Sequence, residues 1–259
     1  MAQVLYSSKD ALWPGPPRLT IAEKGIKDIK VEEIQIAAGQ NFSPEYLALN
    51  ANGTVPALKH ENSEKVLDDS TDICEFLNKE YDGIDLLPAE HAETVHQIIQ
   101  EAHAVDANFL TITPANEAEL QQKKAFATGF LEARIHSLKN YQKSTLEYKE
   151  YYLGRLQQNE FLLGAYSHPE KAGPLYAKHQ VEWQNAVEFL NKLNHRLKEQ
   201  ASKEYLLGNQ FTLADIHVFP LLHRLKMVKG DAVFDGRSDL AAYFKSVSSR
   251  PSVQSVFQA

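Results

Sequence analysis

The hydrophobic pattern of this chain changes character near Pro88. Before that point, short β-branched runs alternate with short helical stretches, whereas after Glu90 long stretches follow the 3.6-residue period of amphipathic helices. The change predicts an α/β domain over residues 1–85 and an all-helical domain over residues 90–259. Helices are predicted in the second domain at Ala92–Leu110, Asn116–Leu138, Leu175–Leu197 and Thr212–Val228.

The first 80 residues are patterned as a β-α-β unit, a β-hairpin and a helix. The predicted strands are Gln3–Tyr6, Ile29–Ile36, Val55–Lys59 and Lys65–Leu67, with a hairpin turn at Asn62-Ser63. The predicted helices are Arg18–Lys24, Pro44–Leu49 and Ser70–Lys79, the first of them behind a proline-rich loop and stopped by Gly25. A parallel strand pair joined by a helix, then a hairpin and a packing helix, is a thioredoxin-like layout.

The segment from Tyr151 to Gly173 is the least regular part of the chain. It contains Gly154, Gly164 and Pro169, residues that break or weaken helices. The sequence therefore predicts an insertion or a long loop here.

Composition and charge bear on compartment and partners. The formal net charge of −7 argues against nucleic acid and anionic membrane surfaces as partners. A single cysteine, Cys74, excludes an internal disulfide and fits a reducing compartment. We find neither a signal-peptide pattern at the start nor a run of roughly 20 apolar residues, and expect a cytoplasmic protein without a membrane span.

The motif Gly53-Thr54-Val55-Pro56-Ala57-Leu58 places a proline where a strand begins. Proline removes a donor from the strand ladder, so it belongs at an edge or a special turn. If the Val55–Pro56 bond is cis, the Val55 N–H and C=O point outward and can pair with an extended peptide. A plain turn proline is the alternative, since cis bonds occur in only about 5–6% of X–Pro pairs.

A second feature, Asp69-Ser70, follows where the fourth strand ends and a helix begins. Either side chain can cap that helix, whose exposed N–H groups accept a carboxylate, while Asp69 can accept from an ammonium group. A simple cap is the alternative for an isolated pair. Together with Val55, the pair predicts a ligand that has a peptide middle and an amino-acid end, the shape of glutathione.

Several of these stretches together resemble the cytosolic glutathione transferases. The N-terminal domain of that family is similar to Arg18-Leu-Thr-Ile-Ala-Glu-Lys-Gly-Ile, Ser43–Asn50, Gly53–Leu58 and Val66–Ile73. The family's C-terminal capping motif is similar to Gly208–Ile216, where Thr212 and Asp215 form a reciprocal capping box. The proline-rich first loop is closest to fungal, yeast-type members, and the middle of the chain resembles the family poorly.

The resemblance implies roles for individual residues. Val55, beside Pro56, would pair with the cysteinyl backbone of glutathione, and Asp69 and Ser70 would hold its γ-glutamyl end. Asn41 falls where many members carry a His or Lys that reaches the glycine carboxylate. The resemblance also implies a homodimer with glutathione as co-substrate, and we predict no metal site.

Catalysis requires a glutathione thiolate near pH 7, whereas a free thiol titrates near 8.5. Ala11 stands where many family members carry Cys or Ser, which argues against the cysteine-type mechanism. Three hydroxyls after or within the first strand are the candidate donors. They are Ser8 as first choice, then Ser7 and Tyr6, the last of which fits the strand core better.

A bound water is the other means of activating the thiol. Some yeast-type members are thought to use a water held by the first helix of the second domain, which here implicates residues near His103, Asn108 or Thr111. His91, His96 and His103 have neither an HExxH motif nor a cysteine partner, so they do not predict a zinc site.

Three functions remain open at this point. The first is conjugation of glutathione to a small apolar electrophile, in detoxification or secondary metabolism. Its acceptor pocket would be lined by aromatic side chains from Phe109, Phe126, Phe130, Tyr151, Tyr152, Phe161 and Tyr166. The second is a non-catalytic protein of the same fold that binds glutathione or an apolar ligand. The third is a protein-interaction domain.

Overall fold

The computed structural model describes residues 3–60, 65–200 and 204–257. Within these ranges the N-terminal domain has the order β-α-β-α-β-β-α. Its elements are β1 (Gln3–Ser7), α1 (Gly15–Glu23), β2 (Ile29–Glu33), α2 (Pro44–Leu49), β3 (Ala57–His60), β4 (Val66–Leu67) and α3 (Ser70–Glu80).

In the described ranges the C-terminal domain is built from helices, with two isolated β-bridges, Tyr205–Gly208 and Leu207–Gln210. Its elements are α4 (Ala92–His103), α5 (Ala107–Ile112), α6 (Glu117–Ser144), α7 (Lys149–Ser167), α8 (Gly173–Glu199), α9 (Leu213–Lys229), α10 (Ser238–Ser248) and α11 (Pro251–Phe257). None of the helices in the described ranges combines the length and hydropathy that crossing a bilayer demands.

The four strands form one sheet in the order β2-β1-β3-β4. β1 runs parallel to β2 and antiparallel to β3, so that Leu5 lies between Val31 and Leu58. This topology confirms the predicted α/β, thioredoxin-like class followed by an all-α domain. The predicted hairpin turn at Asn62-Ser63 lies outside the described residues.

The prediction of a long loop over residues 151–173 is wrong, because most of this segment forms α7. Gly154 and Gly164 lie inside the helix, where an added Cβ would meet no atom within 4 Å. The buried residues Tyr152 and Leu156 give the same helix an apolar face that packs along α6. Tertiary packing therefore outweighs the cost of two glycines, about 1 kcal/mol each relative to alanine.

The predicted helix Ala92–Leu110 is interrupted. Residues 104–106 separate α4 from α5, and the Asp106 carboxylate accepts a hydrogen bond from the Phe109 N–H at 2.9 Å. Asp106 thus caps a new helix after the turn, a role for which short polar side chains are preferred.

One apolar core joins the two domains. Leu19 of α1 and Cys74 of α3 belong to the same buried cluster as Ala102 of α4 and many residues of α8 and α9. Close approach of α1 to α9 depends on Gly15, where an added Cβ would lie 3.2 Å from Pro220. The shared core therefore fixes the position of one domain relative to the other.

A second contact between the domains involves the helical hairpin of α6 and α7. Phe42 and Leu47 of the N-terminal domain pack with Ile135 and Leu138 of α6 and with Tyr152 of α7. The hairpin therefore lies against the segment of residues 34–53, directly before the predicted Val55 motif.

Candidate functional site

The Val55–Pro56 peptide bond is cis, which meets the condition set by the sequence analysis. The Val55 N–H and C=O form no hydrogen bond with any described residue. Two side chains fix the residue before Val55. The Tyr46 hydroxyl donates to the Thr54 carbonyl at 2.6 Å, and the Asn50 amide donates to the same carbonyl at 2.9 Å. The main-chain groups of Val55 are thus fixed and available to an extended ligand.

Asp69, rather than Ser70, caps α3. Its Oδ1 accepts from the N–H groups of Thr71 and Asp72 at 2.7 and 3.2 Å, while its Oδ2 makes no hydrogen bond with a described residue. Ser70 begins the helix and is 4% exposed. One exposed carboxylate oxygen therefore remains for an ammonium group beside a helix N-terminus.

Negative charge concentrates at this end of α3. Burial raises the pKa of Asp72, and the carboxylates of Asp69, Glu75 and Asp68 raise it further. Such a cluster of acidic groups attracts a cationic group at the ligand's amino-acid end.

Asn41 is buried and bonded to the turn that precedes Val55. Its side chain is buried, and its Nδ2 donates to the Gly53 carbonyl at 2.6 Å. Gly53 has a φ of 59°, and an added Cβ would lie 2.0 Å from the Tyr151 hydroxyl. The Asn41 amide therefore fixes the turn that only glycine can occupy.

The three hydroxyls predicted as donors differ in access. Ser7 is fully buried and its Oγ forms no hydrogen bond with a described residue, whereas Ser8 is 2% exposed. Tyr6 is half-buried in β1 with its ring edge-on to Tyr46, the ring centroids 6.2 Å apart. Neither serine presents its side chain to solvent in the cleft.

A histidine pair lies within electrostatic reach of Asp69. His103 Nε2 is 3.1 Å from His217 Nδ1, and the Trp13 ring packs against the His103 ring with centroids 4.0 Å apart and the planes tilted by 40°. Burial lowers the pKa of His103, and the Asp69 carboxylate opposes that shift across the cleft. A neutral, half-buried imidazole thus faces the end of the site formed by Asp69.

The sequence also named Asn108 and Thr111 beside His103. Asn108 is exposed, and the Thr111 hydroxyl donates to the Ala107 carbonyl at 2.8 Å. Sequence reasoning missed Trp13 and His217, because no local motif marks either residue. Only the packing of α9 against α4 brings His217 to His103.

Cys74 is not a nucleophile in this structure. It is fully buried, and burial raises the pKa of its thiol far above the ordinary value. Across the described ranges, the structure shows no group of three or more His, Cys, Asp or Glu residues that could hold a metal ion.

Two family models match the chain. The model for the glutathione S-transferase N-terminal domain matches residues 13–80, and the model for the C-terminal domain matches residues 162–251. Neither model spans residues 81–161. The chain belongs to the glutathione S-transferase superfamily and is similar to yeast-type members.

Individual relatives are distant. Glutathione S-transferase F6 of Arabidopsis thaliana is 35% identical over 89 residues, which are 32% of this chain and 41% of that protein. Glutathione S-transferase 2 of Saccharomyces cerevisiae is 26% identical over 167 residues, 58% of this chain and 68% of that protein. The first match thus spans less than half of its relative's length.

Solved structures support the fold along the whole chain. The β-etherase LigF from Sphingobium sp. strain SYK-6 has a TM-score of 0.70 at 20% identity, over 100% of this chain and 99% of its own. Gtt2 from Saccharomyces cerevisiae has a TM-score of 0.66 at 20% identity, over 98% and 99%. At this identity the similarity establishes the fold alone.

Proposed function

We propose that this protein conjugates glutathione to a small apolar electrophile. The observation that carries the proposal is the pairing of two features, the main-chain edge at Val55 and the Oδ2 of Asp69, neither of which forms a hydrogen bond with a described residue. A peptide that pairs with Val55 and places its ammonium at Asp69 has its cysteinyl thiol at the cleft between the domains. Fixing both reactants there converts a bimolecular encounter into an oriented one.

The thiol must also be activated. The sequence prediction assigns this role to Ser8, with Ser7 and Tyr6 behind it, but the burial of the two serines favours the alternative, a water held by His103. His103 Nδ1 makes no hydrogen bond with a described residue, so this nitrogen can hold a water near the sulfur. A neutral imidazole can accept the thiol proton through that water.

The acceptor would lie beside the α6–α7 hairpin. Tyr152 and Tyr166 are fully buried and belong to the core, so they are not pocket residues. Phe126 is 60% exposed and its ring stacks on Phe130 with centroids 6.0 Å apart. Exposed aromatic rings of this kind fit a flat, apolar electrophile.

Retention on immobilised glutathione together with turnover of an activated chloronitrobenzene tests the proposal. Binding and turnover both support conjugation. Binding without turnover favours the non-catalytic binding protein, and absence of both contradicts the site itself. On the family resemblance we also propose that the protein is a cytoplasmic homodimer.

Removing the charge of Asp69 is expected to weaken glutathione binding. We expect Asp69→Asn or Ser70→Ala to cost roughly 1–3 kcal/mol of binding free energy, because each removes a hydrogen bond to a charged group of the ligand. Asn is itself a good helix cap, so the first variant keeps α3 intact. Titration calorimetry measures the effect.

The matched control is Asp82→Asn, an exposed aspartate of the same domain that lies beyond the end of α3. It should bind glutathione as the wild type does. Unchanged affinity in both Asp69→Asn and Ser70→Ala would mean that the γ-glutamyl end binds elsewhere.

A further inference from the structure

Two arginines of the α6–α7 hairpin reach the segment that precedes Val55. Arg134 Nη1 donates to the Ile36 carbonyl at 2.6 Å, and Arg155 Nη2 donates to the Asn52 carbonyl at 3.1 Å. These acceptors are neutral. None of the ion pairs among the described residues involves either guanidinium.

Arg134 is held in a sheltered place without a counter-ion. Its guanidinium lies 4.2 Å from the centre of the Phe42 ring and 5.0 Å from that of Phe130. Burial is the main cause that lowers the pKa of Arg134 to about 10; the Tyr151 phenol opposes the shift and the positive charge of Arg155 adds to it. A sheltered charge is costly unless it is paired.

The contrast with Arg250 shows what a satisfied arginine looks like in the same protein. Arg250 binds both carboxylate oxygens of Glu23, through Nε and Nη2, at 2.8 Å each. Arg134 Nε and Nη2 form no hydrogen bond with a described residue. They therefore form an open fork of the kind that matches a carboxylate.

Hydrogen bonds connect this open fork to the Val55 motif. Arg134 Nη1 lies 3.5 Å from Asn41 Oδ1, and Asn41 Nδ2 lies 2.6 Å from the carbonyl of Gly53, two residues before Val55. An extended tripeptide spans about 10 Å. If its γ-glutamyl end lies at Asp69 and its middle pairs with Val55, its other end projects toward Gly53.

We propose that Arg134, assisted by Arg155, binds the glycyl carboxylate of glutathione. The inference rests on the proposed function and names the group that recognises the third residue of the ligand. It also accounts for the neutral amide of Asn41, because the positive charge comes from α6 instead. The residues that supply it lie in the segment that neither family model spans.

The experiment compares glutathione with its glycyl monoethyl ester, in which the glycyl carboxylate carries no charge. Calorimetric titration of the wild type should show at least about tenfold tighter binding of glutathione than of the ester, as expected for a charge-assisted contact. In Arg134→Gln the two affinities should converge, with ester binding within about twofold of the wild type. Arg155→Gln should reduce the preference partially.

Lys139→Gln is the matched control, since it removes an exposed positive charge from the same helix. It should keep the wild-type preference, and the melting temperature of each variant confirms that it is folded. Equal affinity of the wild type for glutathione and the ester would overturn the Arg134 proposal while leaving the proposed function intact. If Arg134→Gln is folded and its affinities for glutathione and for the ester fall by the same factor, Arg134 supports the loop at Ile36 rather than the glycyl carboxylate. That result would also overturn the Arg134 proposal. Failure of the wild type to bind either ligand would contradict the proposed function and the inference with it.

Discussion

Replacing Asp215 with alanine should lower the free energy of unfolding by about 3–5 kcal/mol, because it leaves several buried hydrogen-bond donors without an acceptor. The Asp215 carboxylate is fully buried at the start of α9 and accepts four hydrogen bonds. The donors are the N–H groups of Leu206 and Thr212 at 2.9 Å each, the Thr212 hydroxyl at 3.2 Å and the Tyr243 hydroxyl at 3.1 Å. Truncation leaves all four buried donors without a partner.

Part of that loss is offset, because removing the carboxylate also removes a desolvation cost. Burial raises the pKa of Asp215 to about 6, although its hydrogen bonds oppose the shift. Desolvation therefore already penalises the charged form. The stated range counts four unsatisfied donors at about 1–3 kcal/mol each, less the recovered desolvation.

Urea unfolding at pH 7 measures this effect directly. Asp231→Ala is the control, because Asp231 is exposed and its ion pair with Lys226 spans 3.8 Å at the surface. That pair should contribute less than about 1 kcal/mol. An equal loss of unfolding free energy in the two variants would mean that Asp215 does not stabilise the contact of α9 with Leu206 and with Tyr243 of α10.

The capping box at Thr212 and Asp215 was predictable, because a short motif carries its own mechanism. Its two residues stand three positions apart, and their reciprocal hydrogen bond satisfies the start of a helix whatever packs around it. The order of strands and helices before Pro88 was predictable for the same reason, since turn residues and periodicity act locally. The structure confirms both features.

The α6–α7 hairpin shows where local signals end. Gly154 and Gly164 lower the helix propensity of α7. They lie where an added Cβ would meet no atom within 4 Å, whereas Tyr152 and Leu156 of the same helix are buried in the core and stabilise it. The placement of Arg134 beside Asn41 depends on residues 93 positions apart. No window of sequence long enough to define a helix contains both partners.

The histidine pair of the candidate site also depends on a contact between residues far apart in the sequence. His103 and His217 are 114 positions apart and meet only when α9 packs on α4. The sequence named His103 as one of three residues near a possible water, and Ser8 as the preferred donor. Burial of Ser8 and the position of His103 opposite Asp69 reorder these candidates.

Replacing His103 with alanine should reduce kcat/KM for a chloronitrobenzene by about 100-fold, the lower end of what a positioned acid–base group contributes. Ser8→Ala should stay within a few fold of the wild type, because in this proposal the activating water is held by His103 and the Ser8 hydroxyl is only 2% exposed. Since burial lowers the pKa of His103, its ring stays neutral throughout the neutral range. The wild-type pH–rate profile should therefore carry no step from His103 in the neutral range, and the loss due to protonation of its ring should appear only below that lowered pKa.

The pKa of the bound glutathione thiol shows whether a loss of activity in His103→Ala comes from lost thiol activation or from a disturbed structure. Titration of the thiolate absorbance should show a glutathione thiol well below 8.5 in the wild type and close to that free-thiol value in His103→Ala. His96→Gln is the control on the same helix, because His96 is exposed and bonded to Glu75. It should match the wild type in rate and in thiol pKa. An unchanged thiol pKa in His103→Ala, with a raised one in Ser8→Ala, would return the donor role to Ser8 and show that its hydroxyl becomes accessible when glutathione binds.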